Sequence, residues 1–75
     1  MINHKQAYSN LHAASAELAR RETMARRYCT QWRAGTRTDD EMRSALEQLR
    51  TANQIWEAAR EACRSLELED TAVIV

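Results

Sequence analysis

The chain has 75 residues and a formal charge of zero, with eleven basic and eleven acidic side chains, no proline, one glycine and no phenylalanine. That length allows one small domain, in which a single core rarely supplies more than a few kcal/mol (about 3–5) unless a staple or a second copy adds to it. Thirteen alanines and so few breakers favour helix almost throughout and argue against a β fold. Four aromatic residues restrict any core to a thin one of Leu, Ala, Met and the two Trp.

The halves differ in charge. Residues 1–38 hold seven Lys/Arg against two Glu, and residues 39–75 hold four Arg against nine Asp/Glu. Mutual neutralisation of two helices is the simplest expectation from that asymmetry. Two cysteines, Cys29 and Cys63, do not make a disulfide framework. Met1-Ile2-Asn3-His4-Lys5 lacks the apolar core of a secretory leader, and no run approaches the roughly 18 apolar residues of a membrane span. A cytoplasmic protein with reduced thiols and no membrane partner is the resulting expectation.

In chain order, Asn3 and Gln6 form an Asn-x-x-Gln capping pair that starts a first helix over about 4–34. Leu11, Leu18, Ala25 and Trp32 recur at seven-residue spacing as a positions, with Ala7, Ala14, Arg21 and Tyr28 at d. Arg21 breaks the apolar rule and is expected to snorkel along the seam. Gly35 suits a left-handed helix end, and the turn covers 35–38. Thr38 with Glu41 makes a capping box, and Asp39 and Asp40 place negative charge at the start of a second helix over about 39–67. So short a connection sets the helices antiparallel.

The second seam has Met42, Leu49, Trp56 and Cys63 at a, with Ala45, Ala52, Ala59 and Leu66 at d. Folding at 36–37 brings Leu49 opposite Ala25, Trp56 opposite the Ala14–Leu18 turn and Cys63 opposite Leu11, so that large faces small, with a slip by one turn as the alternative register. The stretch 68–75 reads as an apolar tail. Its β-branched end, Thr71 to Val75, is compatible with packing back, adding to a partner's sheet edge, or staying loose. The fold class is therefore all-α, a single-domain antiparallel hairpin expected to dimerise into a four-helix bundle.

Chemistry is hard to place on this framework. His4 and His12 are eight residues apart, not at the i,i+4 spacing of a helical metal pair, and neither approaches a cysteine in the expected pairing. No glycine-rich loop could cradle phosphate, and a two-helix unit has little bulk to enclose a substrate. No catalytic, cofactor or metal residues are assigned, and the expected function is binding. Arg20, Arg26, Arg27 and Arg33, on the b and c positions of the first helix with Lys5 and His12, form the candidate partner face. Tyr8 and Leu46 on the e flank, and Met24 and Ile55 on the g flank, are the expected dimer contacts.

No family motif is present. In size and outline alone the expected hairpin resembles small RNA-binding dimers built from hairpins, and also the short helical proteins by which phages inhibit host factors. The residues themselves lead to the expectation of a stoichiometric adaptor or inhibitor of a host or regulatory protein, phage- or mobile-element-encoded in origin. The alternative is a small dimeric RNA- or DNA-binding regulator using the helix-1 arginine face, and a purely structural assembly subunit is the third reading.

Overall fold

The computed structural model describes residues 3–74, with side chains through residue 68. Two helices, α1 (His4–Arg33) and α2 (Asp39–Ile74), pack along their length as an antiparallel hairpin with extents of 59 × 18 × 14 Å. α1 begins where expected. Asn3 is extended at φ −89° and ψ 171°, and its side chain accepts the Gln6 backbone N–H at 2.8 Å. The Gln6 side chain turns forward to Asn10 instead of back to Asn3, so only half of the capping pair forms.

The turn is densely bonded. Gly35, at φ +81°, donates its N–H to the Trp32 carbonyl, and Thr36 donates to the Gln31 carbonyl. These are the two bonds of a Schellman stop, which needs a residue tolerant of positive φ. Two residues later the Thr38 hydroxyl accepts the Glu41 N–H at 3.1 Å, and the Glu41 carboxylate accepts the Thr38 N–H at 3.2 Å. The reciprocal pair is a complete capping box.

Arg37 ties these parts together. It donates to Gln31 on α1 and Glu41 on α2, at 2.7 and 2.6 Å, and its guanidinium lies 3.9 Å from the centre of the Tyr28 ring. Its bonds to Glu41, with those of Thr38, hold that carboxyl below the usual glutamate range.

The seam follows the heptads, but its filling is smaller than the sequence suggests. Among the described residues, the buried apolar side chains are Ala7, Ala14, Ala25, Ala45, Ala52 and Cys63. Leu11, Leu18, Met42, Leu49, Trp56 and Leu66, on the same a and d positions, are only half-buried. Alanines let the two backbones approach closely, and the larger side chains then splay to either side of the contact line. Cross-links confirm the register. The Trp56 indole N–H reaches the Ser15 hydroxyl at 3.0 Å, inside the turn expected opposite it. Cys63 and Leu11 line one groove.

Three expectations need correction. Trp32 is not a seam residue: it is 43% exposed, and its N–H bonds to Asp39 at 2.7 Å. α2 starts at Asp39, so at the level of Trp32 there is only the helix end to pack upon. Arg21 does not simply snorkel: it bridges Glu17 on its own helix and Gln48 on α2, at 2.7 and 2.6 Å. Finally, the backbone stays helical to Ile74, where a tail from 68 was expected. No glycine or proline interrupts 39–74, and β-branched residues cost a helix only a few tenths of a kcal/mol each, about 0.5. The side-chain packing of Thr71 to Val75 lies outside the described residues.

Candidate interaction faces

An antiparallel hairpin has two broad sides, because e positions of both helices lie on one side of the plane of their axes and g positions on the other. The grooves along the seam divide the same way, with no residue shared between the two sets. On the e side, Tyr8, Leu11, Cys63, Arg60, Arg64 and Glu67 line a groove of about 490 Å³. Farther along it, Leu18, Leu46, Leu49, Arg50, Asn53 and Glu22 line one of about 380 Å³. Trp56 lies between their levels, its ring 5.4 Å from the Arg60 guanidinium. This is a leucine–arginine face.

The g side has different chemistry. Its most voluminous groove, about 480 Å³, is lined by Ala7, Ala13, Ala14, Ala58, Ala59 and Ala62 with Asn10, Glu17 and Ile55. Toward the turn it continues past Glu47, Gln48, Arg21, Met24 and Glu41. Small side chains and an excess of carboxylates, Glu17, Glu41 and Glu47 against Arg21, stand where the other side has leucines and an excess of arginines.

The four expected dimer contacts fall on both sides. Tyr8 and Leu46, 47% and 50% exposed, belong to the leucine–arginine face, whereas Ile55, 56% exposed, and half-buried Met24 belong to the alanine face. One two-fold interface cannot use all four. The heptad flanks carried this division, since e and g lie on opposite sides of an antiparallel pair.

The helix-1 arginines are all exposed. Arg20 pairs with Glu17 at 2.8 Å and Arg26 loosely with Glu22 at 3.9 Å, while Arg27 and Arg33 make no ion pair among the described residues. Among the described residues none of the four pairs with a carboxylate of α2, so the neutralisation expected between the halves does not reach them there. By heptad position Arg26 and Arg33 (b) border the leucine–arginine face, and Arg20 and Arg27 (c) border the alanine face. Sequence reasoning passed over Arg50, Arg60 and Arg64, which line the leucine–arginine grooves from α2. The signal was available in their b and e positions, but the acidic total of the second half obscured it.

Cys29 and Cys63 are free thiols, the first half-buried and the second buried. Among the described residues no group of three or more His, Cys, Asp or Glu could hold a metal ion, and no helix is long and apolar enough to cross a membrane. Comparison with protein-family models, with curated proteins and with solved structures finds no match for the chain.

Proposed function

We propose that the hairpin works by stoichiometric protein–protein interaction, as a non-catalytic adaptor or inhibitor that self-associates into a four-helix bundle. The observation that carries this reading is surface left uncovered. The chain exposes 5989 Å², whereas a compact monomer of its 8.7 kDa exposes about 4,700 Å². Large apolar side chains stand exposed on both sides of the seam, Tyr8 and Leu46 on one and Ile55 on the other, the kind of surface that a partner covers. Arginine beside exposed leucine and tryptophan is also the composition that protein interfaces favour.

Nucleic-acid binding through the same arginines is the competing reading, and it is favoured by Arg27 and Arg33, which lack carboxylate partners among the described residues. Against it stand leucines that offer nothing to a phosphate backbone, and the balanced charge of the whole chain.

Affinity capture from the native cell with wild type and with Arg26→Glu/Arg33→Glu tests the choice. The proposal expects one protein species retained by wild type and lost from a double variant of unchanged helicity. Retention of nucleic acid that elutes steeply as salt rises would replace it with the alternative.

A further inference from the structure

We infer that the alanine face is where a second copy of this chain docks, leaving the leucine–arginine face for an outside partner. This deepens the self-association proposed above and rests on it. Shape is the first argument. A two-fold contact uses the same patch on both copies, so the patch must carry both the projection and the hollow it fills. The alanine face does: Ile55 stands 56% exposed at the edge of the 480 Å³ groove.

Charge decides between the faces. Glu17, the one charged residue lining that groove, is already neutralised by Arg20 and Arg21 at 2.8 and 2.7 Å. A two-fold axis parallel to the helices sets α1 of each copy against α2 of the other. In the register fixed by Ser15–Trp56 and Arg21–Gln48, Glu47 lies level with a point between Arg20 and Arg27. Opposite charges therefore meet across the two-fold. The leucine–arginine face has Arg50, Arg60 and Arg64 against Glu22 and Glu67 in its grooves, with Arg26 and Arg33 at its border, and two copies brought together there would concentrate that positive excess.

Sedimentation equilibrium on wild type, Ile55→Glu and Leu46→Glu tests the assignment, with circular dichroism recorded on each. Both substitutions fall on side chains at least half exposed in a single hairpin. Ile55→Glu should raise the dimer dissociation constant by about a hundredfold or more, and Leu46→Glu should leave it within a few-fold. Wild type needs no variant for a second readout: in a mixed sample of isotope-labelled and unlabelled chains, filtered NOEs between copies should connect Ile55 methyls with alanine methyls. A dimer dissolved by Leu46→Glu, or NOEs between copies from Leu46, would overturn the face assignment while leaving self-association intact. A fully helical wild type that sediments as one chain at 100 micromolar (about that or above) would overturn both.

Discussion

The turn and the seam hold the hairpin together by different means. Around residues 31–41 nearly every exposed end of the two helices meets a directed bond: the Schellman pair, the capping box, Trp32 on Asp39, and Arg37 reaching both helices. Along the seam, burial among the described residues is confined to alanines and one cysteine, with Tyr8–Glu67, Arg21–Gln48 and Trp56–Ser15 as polar ties between helices. Directed bonds are complete within one chain and set its topology. Apolar burial is not complete within one chain, and at this size the shortfall is a large part of the stability a domain needs.

The contrast can be broken most forcefully at the seam. Ala52→Leu, at a site 5% exposed, should push the helices apart and cost up to about 3 kcal/mol. Thermal denaturation would show it as a midpoint many degrees lower. An unchanged midpoint would mean the alanine contact is loose enough to absorb three more carbons, and close approach would no longer explain the half-buried leucines. At the turn, Thr38→Ala removes the hydroxyl that accepts the Glu41 N–H and should cost about 1 kcal/mol in a denaturant titration. A larger loss would show that the turn, not the seam, holds most of the stability.

The smallest effect sharpens the comparison through pH. Folding lowers the Glu41 pKa, chiefly through its bond to Arg37, so its contribution is present above the ordinary glutamate value and is lost as pH falls through the folded one. The stability gap between wild type and Glu41→Gln should be constant above about pH 5.5 and shrink at progressively more acid pH, below about 4.3. A gap independent of pH would mean that the carboxylate charge adds nothing to the turn.

Much of this was legible beforehand because the signals are local or periodic. Gly35, Thr38 and Glu41 act within a few residues of one another, and seven-residue spacing names the seam whichever partner it meets. The register was legible too: Trp56 lies where the alternation of large and small placed it. Arg37 was not, since its role depends on Tyr28 and Gln31 being brought back against it by the turn. Trp32 misled because periodicity does not reveal where the opposite helix begins.

The sequence by itself determined the all-α hairpin, its stop and restart, and which residues line the contact between helices. Those follow from backbone propensities and from bonds closed over three to five residues. Only the tertiary structure decided how deep the contact is and how the remaining surface divides. Close alanine packing turns the leucines outward on one side and leaves an alanine hollow beside Ile55 on the other. Heptad letters assign a direction to each side chain, whereas its burial depends on the separation of two helices, which the small residues of both set jointly.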